Sequence, residues 1–437
     1  MLRFWHKAAI GALGVVLAAC STASTTAPTI TPEGTPAAAT TAPTPEATAT
    51  PAPQPVTLTF EHQFGDAESA KFDELIAQYQ AANPNVTIKT IRDNDSSYYD
   101  KLTTAFMADS APDIVRVEPP RAAQYIAAGY AAPLDGVISD PDQFFPGTIE
   151  PLQKDGKLYG VPQDVATLVL YYRTDLFTAA GITAPPATWE ELISDAQKLT
   201  KAPSNYGLGL FGGWGAFEFY PWFWQAGGEM LAESDGKTVP AFNSDAGVKA
   251  LQLWADLENK YKVMPPGAAT LTEDDYKGSF VEGKLAMFTS GPWIVGWLKQ
   301  AGIEGKWAAA PLPKDVNEAS VLGGMDLIVS AKSPNQAEAG KFLAWLMQDN
   351  VQTNWATSLG FVPIKQSMYS APAFAADPLN AVFLAALKVS RSRPTIAQAS
   401  QIDDLFGKAV QAALSGAATP KAALDDAAQK ALQALEQ

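Results

Sequence analysis

The chain has 437 residues, 47% of them hydrophobic and 18% charged, and a formal net charge of −15. This length exceeds what one hydrophobic core usually serves, so we expect two lobes or domains. The negative charge argues against a surface for nucleic acid or an anionic membrane, because both need clustered lysine and arginine, and it weakly disfavours a strongly anionic ligand.

The first 20 residues have the pattern of a secretory signal. Arg3 and Lys7 precede an apolar stretch at 8–17, and small residues follow up to Cys20. The stretch is too short to span a bilayer, which argues against a membrane helix with an incidental cysteine. The run LAAC at 17–20 resembles a bacterial lipobox, whose cysteine is lipidated after cleavage. Since Cys20 is the only cysteine, the mature chain would have no free thiol for catalysis, a disulfide or zinc.

Residues 21–55 are mostly threonine, alanine, proline and serine, without apolar periodicity. Such a stretch cannot bury enough apolar surface to offset the entropy lost on ordering, so we expect a disordered tether. Its roughly 35 residues could reach up to about 100 Å at roughly 3.1 Å per residue. The tether would leave the globular part free to move over the membrane.

From Val56 the chain alternates between strand and helix patterns. Phe72, Leu75 and Tyr79 lie on one apolar stripe, which predicts an amphipathic helix opened by Asp66. Alternating strands and helices are typical of a mostly parallel sheet with helices on both faces, so we predict an α/β fold. The first predicted strands lie at 56–60, 86–91 and 113–117, and two further helices at 98–107 and 121–128.

A continuous apolar run at 165–172 is typical of a buried strand. Thr188 begins a capping box with Glu191, which predicts a helix start. Ser333-Pro334 and Thr419-Pro420 predict two more, each with proline at the first helical position. The other predicted elements are a helix at 245–258, a helix end, turn and strand within 280–288, a helix from 291, and strands at 307–310 and 326–330.

The sequence lacks the motifs of several enzyme classes. One histidine, His62, remains after removal of the signal, and no Gly-x-Ser-x-Gly turn, HExxH helix or GxxxxGK[ST] phosphate loop occurs. No particular pair of carboxylates for glycoside hydrolysis is indicated. We therefore favour a binding protein over an enzyme, and we expect neither a cofactor nor a metal.

Several segments match one family pattern in order and separation: KLYGVPQDVATLVLYYRTDLFTAAGITAPPATWEE at 157–191, APDIV at 111–115, GSFVEGKLAM at 278–287, SGPW at 290–293, GG at 323–324, SPNQAEA at 333–339 and GFVP at 360–363. Together they resemble family 1 extracellular solute-binding proteins, the carbohydrate-binding lipoproteins of ABC importers. The resemblance implies the two-lobed periplasmic-binding-protein fold (type II), similar to maltose-binding protein. Each lobe would hold a mixed, mostly parallel sheet flanked by helices, and crossover hinge segments would join the lobes.

The resemblance also divides the chain. It implies a first lobe of 56–163 and 312–363, a second lobe of 164–311 and 364–437, and a ligand between them. Ligands of such sheets bind outside the carboxyl ends of the strands. This rule and the resemblance together select candidates for ligand contact in the first lobe: His62, Gln63, Phe64, Tyr98, Glu118, Gly323, Gly324 and Met325.

Each polar candidate has an alternative role. His62 could cap a nearby backbone group, and Tyr98 could be a half-buried residue at a helix start. Glu118 could accept hydrogen bonds from sugar hydroxyls or be a solvated loop charge, with Arg121 as its ion-pair partner.

In the second lobe, aromatic residues are the main candidates. Trp214, Trp222 and Trp224 lie in or near a glycine-rich stretch, where one exposed indole could stack on a sugar ring while the others pack. Trp293 matches a family position that stacks on sugar, and it is the strongest single candidate. Asp164 lies at the crossing, where it contacts the ligand or caps a turn. Arg391 or Arg393 could face the cleft or pair with a carboxylate on the surface, and we select Arg391.

These observations predict a lipid-anchored receptor on the outer side of the membrane. It would close on a sugar or oligosaccharide and deliver it to an ABC permease. We expect a monomer that meets the membrane through its lipid alone and binds no nucleic acid. The positions that would match first-lobe contacts of maltose-binding protein are Val117, Glu118, Pro120 and Arg121 here, and Ala166 stands where that protein has a glutamate, which argues against maltose itself. Other solutes (glycerol phosphate, a polyamine, a peptide) and an exported carbohydrate-degrading enzyme remain the alternatives.

Overall fold

The strands of the chain form two main sheets. The structure, a computed structural model, describes residues 54–95 and 97–436. Most strands predicted in this part are present with small changes at their ends, but the strand predicted at 326–330 begins at Ser320, and the run at 165–172 is divided. In chain order the strands are β1 (Val56–His62), β2 (Val86–Arg92), β3 (Ile114–Val117), β4 (Gln153–Lys154), β5 (Lys157–Leu158), β6 (Gly160–Thr167), β7 (Val169–Arg173), β8 (Leu231–Ser234), β9 (Lys237–Pro240), β10 (Met287–Ser290), β11 (Trp307–Ala310), β12 (Ser320–Val329) and β13 (Ser390–Arg391).

The first sheet has the order β13-β12-β3-β1-β2, and β6 also pairs with β12. Strand β1 is parallel to both β2 and β3, whereas β12 is antiparallel to β3 and β6. The sheet is therefore mixed, as expected. Its parallel strands β1 and β3 end at His62 and Val117, so the residues that follow them lie at one edge of the sheet.

The second sheet has the order β10-β7-β11, and both pairs are antiparallel. The prediction of mostly parallel pairing is wrong for these strands. The apolar run at 165–172 also proves to be two strands, because β6 belongs to the first sheet and β7 to the second, with Leu168 alone between them. The Ser320 hydroxyl at the start of β12 donates to the carbonyl oxygen of Leu168 at 2.8 Å and fixes this crossing.

The helices cover the sheets. Thr188 and Thr419 cap their helices as predicted, but Pro334 precedes the cap residue Asn335 instead of occupying the first helical position. The helices are α1 (Asp66–Ala82), α2 (Tyr98–Met107), α3 (Pro119–Ala127), α4 (Pro146–Ile149), α5 (Thr174–Ala179), α6 (Trp189–Leu199), α7 (Tyr220–Gln225), α8 (Asp245–Asn259), α9 (Glu273–Val281), α10 (Val295–Gln300), α11 (Gln336–Leu346), α12 (Asp349–Leu359), α13 (Pro372–Ala375), α14 (Pro378–Lys388), α15 (Ala399–Leu414) and α16 (Pro420–Leu435).

Two large clusters of buried side chains form the core. One cluster includes Phe60 of β1 and Phe72 of α1 and extends to Tyr171 of β7. The other contains Trp222 of α7 and Phe406 of α15. Trp293 packs against both clusters. Of the helices that the structure describes, none combines the length and apolarity needed to cross a membrane.

A glycine is required where β12 pairs with β6. Gly324 has φ +125°, a region that L-residues rarely adopt, and a Cβ atom there would overlap the carbonyl oxygen of Asp164 on β6. The two backbones can therefore approach this closely only without a side chain at position 324.

We expect Gly324→Ala to lower the free energy of unfolding by roughly 2 to 3 kcal/mol through backbone strain and overlap. Gly278→Ala is the matched control, because Gly278 lies inside α9 and a Cβ there meets no atom within 4 Å. The control should be neutral or slightly stabilising, since alanine favours a helix. Urea unfolding of both variants measures the difference, and equal values for the two would contradict the assignment.

Candidate functional site

Three aromatic rings form a partly exposed surface between the two sheets. Trp214 is 42% exposed, and its ring centroid lies 6.3 Å from that of Trp293, which in turn lies 6.4 Å from Phe217. Trp214 and Phe217 belong to the loop before α7, and Trp293 follows β10. We call these three residues the aromatic surface. Large flat rings of this kind can cover the apolar face of a ligand.

The backbone beside Trp293 fixes where its ring lies. A Cβ on Gly291 would overlap the six-membered ring of Trp293, so the indole lies directly against this glycine. The Tyr171 hydroxyl donates to the carbonyl oxygen of Gly291 at 2.8 Å and holds this turn on β7. The turn and its indole are thus anchored to the second sheet.

A charged group borders the aromatic surface. Arg393 donates to Glu118 at 2.9 Å and to Asp403 at 3.0 Å, and its guanidinium lies 5.3 Å from the ring centre of Phe217. Glu118 precedes α3, at the end of β3 in the first sheet, whereas Asp403 belongs to α15, which packs in the cluster around Trp222. Arg393 therefore connects the end of β3 in the first sheet to α15.

A buried ionic group lies behind this border, at the crossing. Arg116 on β3 donates to Asp164 at 2.8 Å and to Gln163 at 2.6 Å, both on β6. Asp326 on β12 is close by, and burial, together with the negative charge of Asp164, raises its pKa well above the usual range. A cavity of about 10 Å³ lies between these carboxylates and Arg393, close to the volume that one water needs.

Several predicted contacts lie at or near the aromatic surface. Trp214, Trp293 and Glu118 are partly exposed there, and a Cβ on Gly323 would lie 2.8 Å from the Phe217 ring. Asp164 and Gly324 line the small cavity. Asp164 is only 4% exposed and accepts a hydrogen bond from Arg116. Met325 follows Gly324 and is half-buried.

Other predicted contacts lie in the core, and we withdraw them. Phe64, Tyr98 and Trp222 are almost wholly inaccessible, because they pack among other aromatic rings or, for Tyr98, donate to the carbonyl oxygen of Arg116 at 2.9 Å. His62 is 3% exposed and accepts a hydrogen bond from the backbone of Phe64 at 3.1 Å, which is the capping role that we weighed.

The remaining candidates lie outside the aromatic surface. Arg391 forms a surface ion pair with Glu229 at 2.6 Å, so Arg393 is the arginine that faces the site. Gln63 is half-buried and directly follows β1. Arg121 lies 3.6 Å from Asp404 rather than pairing with Glu118. Cys20 and the expected signal and tether lie outside the described residues.

Three residues of the site carry no distinguishing signal in the sequence. Phe217 has the same chemistry as the core phenylalanines, and only its separation of three positions from Trp214 could have indicated it. Asp403 and Glu273 lie on helices, where a carboxylate normally faces solvent. Their partners Arg393 and Trp293 are 10 and 20 positions away and lie outside these helices, so no helical or strand period links them.

The withdrawn candidate His62 leads to a pH prediction. Burial, with the positive charges of Arg116 and Arg92, lowers the pKa of His62 from 6.5 to about 4. The unfolded chain then binds the proton more readily, so the stability that neutral His62 contributes is complete above pH 6.5 and is lost as the pH falls towards 4.

We expect wild-type protein to lose about 2 kcal/mol more than His62→Gln between pH 7 and pH 4.5. Urea unfolding at several pH values measures this difference, and the variant controls for the carboxylates that titrate in the same range. Parallel pH profiles of the two proteins would show that His62 titrates normally.

The site is suited to binding rather than to chemistry. The carboxylates of Glu118 and Asp403 are already paired with Arg393, and no group of three or more His, Asp or Glu side chains that could hold a metal occurs among the described residues. What remains accessible is an aromatic face next to polar groups, an arrangement that fits a neutral ligand with hydroxyl groups and an apolar face.

Comparison with known proteins agrees with this geometry. Residues 74–382 match the family described as bacterial extracellular solute-binding protein. The maltotriose-binding protein of Pyrococcus abyssi is 26% identical over 327 residues, which cover 73% of this chain and 68% of that protein.

Two solved structures are similar over most of their length. The GacH receptor of Streptomyces glaucescens, solved unliganded and with acarbose, has 27% identity and a TM-score of 0.81, covering 87% of this chain and 98% of that one. A solute-binding protein of an ABC transporter from Thermotoga lettingae, bound with α-D-tagatose, has 28% identity and a TM-score of 0.80, covering 87% of this chain and 99% of that one.

Proposed function

The chain belongs to the family of bacterial extracellular solute-binding proteins, and we propose that it binds a sugar or oligosaccharide between its two lobes for an ABC importer. The observation that carries the proposal is the aromatic surface of Trp214, Phe217 and Trp293, bordered by Glu118 and Arg393. Membership of this family makes the chain a binding protein rather than an enzyme, with the two-lobed α/β fold of its relatives.

The names of relatives favour a neutral sugar. Maltotriose appears in the name of one relative, and acarbose and tagatose are bound in two similar structures. Glu118 and Asp403 are both paired with Arg393. A cationic polyamine therefore meets no free carboxylate of this pair, and an anionic glycerol phosphate meets no free guanidinium, so the site disfavours both of these ligands. A sugar needs no such charge, since stacking and neutral hydrogen bonds hold it.

We keep the division into a first lobe of 56–163 with 312–363 and a second lobe of 164–311 with 364–437 as part of the proposal. The chain changes sheet at Leu168, a few residues after the first boundary. The packing of α15 and α16 against α8 supports placing the end of the last segment in the second lobe, whereas β13 of that segment pairs with β12 in the first sheet. Glu118 and Arg393, which are hydrogen-bonded in this structure, would belong to opposite lobes. A ligand in contact with both lobes would stabilise the closed state.

The proposed anchor is the lipidated Cys20, which becomes the first residue once residues 1–19 are removed and is followed by the tether of residues 21–55. These residues lie outside the described part, and the proposal for them rests on the sequence pattern. The body would then be a monomer held on the outer side of the cytoplasmic membrane, where it meets the permease. Labelling growing cells with a fatty-acid analogue tests the lipid anchor, since the Cys20→Ser variant should carry no label.

A thermal-shift screen tests the ligand class. The panel comprises maltose, maltotriose, tagatose, ribitol, glycerol 3-phosphate and spermidine. A ligand that binds only the folded state raises its stability by RT ln(1 + [L]/Kd), about 2.7 kcal/mol at a hundredfold excess over Kd. We expect a neutral sugar to give the largest shift and to be recovered unchanged after incubation. A shift with spermidine alone would favour a polyamine, and conversion of a sugar to product would indicate an enzyme.

A further inference from the structure

The end of β10 is held by buried carboxyl groups from two other elements. Glu273, the first residue of α9, is 1% exposed and contacts the hydroxyl of Ser290. Glu218, in the loop before α7, accepts from the hydroxyl of Thr289 at 2.6 Å. Two successive residues of one strand end are therefore fixed by two acidic side chains, immediately before the turn that carries Trp293.

Glu273 also binds Trp293 directly. The indole nitrogen Nε1 donates to Oε1 of Glu273 at 2.8 Å, and the other carboxylate oxygen pairs with Lys277 at 3.1 Å, one turn along α9. An indole has a single polar donor, so this bond determines which edge of the ring faces Glu273 and restrains the rotation of the ring about the Cβ–Cγ bond. A charged acceptor makes the bond stronger than a neutral one would.

A buried carboxylate is costly unless its partners compensate for lost hydration. Glu273 has three side-chain partners, and its place in the first turn of α9 is favourable for a negative charge. An apolar residue at this buried position would fill the same space at lower cost. The arrangement therefore needs a reason other than packing, and Trp293 is the one partner that belongs to the aromatic surface.

We propose that Glu273 is a positioning residue, whose carboxylate holds the indole of Trp293 in the orientation that receives a ligand. Its effect on sugar affinity rests on the proposed function, but its effect on the indole does not. Without the bond, the ring samples other rotamers, and binding must immobilise it. Immobilising one such side chain corresponds to roughly a three- to tenfold loss of affinity.

The first experiment needs no ligand. In spectra of protein with ¹⁵N-labelled tryptophan, the indole N–H signal absent from Trp293→Phe identifies Trp293. We expect Glu273→Leu to shift this signal upfield and to speed its exchange with water, whereas Glu273→Gln, which keeps an acceptor, should change it less. An unchanged signal in Glu273→Leu would overturn the proposal.

Asp274→Leu is the matched control. Asp274 is the next residue of α9 and pairs with the same Lys277 at 2.8 Å, but it is exposed and has no hydrogen bond to Trp293. This variant should leave the indole signal in place. An equal shift in both variants would show that loss of the Lys277 pair or a general change in α9 is responsible, and it would overturn the assignment to Glu273.

The second experiment measures coupling with maltotriose by calorimetry. Glu273→Leu should lower affinity three- to tenfold in the wild-type background and have almost no effect in Trp293→Phe, which has no N–H to position. A merely structural role would give the same loss in both backgrounds and would overturn the proposal. If wild-type protein binds neither maltotriose nor any other sugar of the panel, the proposed function fails, and the indole signal still decides the role of Glu273.

Discussion

Replacing Trp293 with alanine is expected to weaken sugar binding at least about a hundredfold while the protein stays folded. A large aromatic ring buries on the order of 150 to 250 Å² when fully covered, and each Å² of apolar area contributes about 25 cal/mol, so even half of a ring accounts for roughly 2 to 3 kcal/mol. Stacking adds to this. Trp293 is partly exposed and packs beside Trp214 and Phe217, where a ligand can cover it.

Isothermal calorimetry with the best sugar of the panel measures the loss. Trp345→Ala is the control, because Trp345 is also a half-buried tryptophan but lies on α11 against Phe342, away from the aromatic surface. The control should bind as wild type does, even if its melting temperature falls. Unaltered affinity in Trp293→Ala would remove the aromatic surface from the proposed site.

Replacing Arg116 with methionine is expected to lower the free energy of unfolding by about 3 to 5 kcal/mol. The substitution leaves the buried carboxylate of Asp164 without its cation and removes the donor to Gln163. Arg116 also lies 4.6 Å from the ring centre of Phe64, so packing is lost as well. An uncompensated buried charge is the dominant cost.

Arg92→Met is the matched control for this prediction. Arg92, the last residue of β2, pairs with Asp66 of α1 at 2.7 Å, but both side chains are exposed, and such pairs contribute at most about 1 kcal/mol. Urea unfolding gives both values. Adding Asp164→Asn to Arg116→Met should recover part of the stability, because the stranded charge is removed. If Arg116→Met and Arg92→Met lowered the free energy of unfolding equally, the hydrogen bonds of Arg116 to Asp164 and Gln163 would contribute no more than a surface ion pair.

Much of the fold can be predicted from the sequence because apolar periodicity and helix caps are local signals. Such local signals indicate β1, β2 and β3, the Thr188 and Thr419 caps and the helix at 245–258, all of which are found where expected. The division of the run at 165–172 is different. Leu168 is as buried as the residues on each side, so no change of pattern marks the point where the chain changes sheet.

The site is harder to predict because identical residues serve in it and in the core. Trp214 and Trp222 belong to one aromatic stretch, yet only the first is exposed, since the loop ends at α7 and turns the second inward. The rule of strand ends selects Glu118, which accepts a hydrogen bond from Arg393 beside the aromatic surface. It also selects His62 and Phe64, whose side chains point into the core. The pairing of Arg393 with Glu118 joins segments 275 positions apart, and a single sequence does not show such a contact.

The single residue between β6 and β7 has a consequence for protein engineering. Side chains alternate between the two faces of a strand, so one residue inserted at Leu168 would turn every side chain of β7 to the opposite face. A reporter domain intended to convert ligand capture into an optical signal should therefore not be spliced there. The exposed turn Asp235-Gly236 of the β8–β9 hairpin is a better position, because added length at its tip leaves both sheets in register.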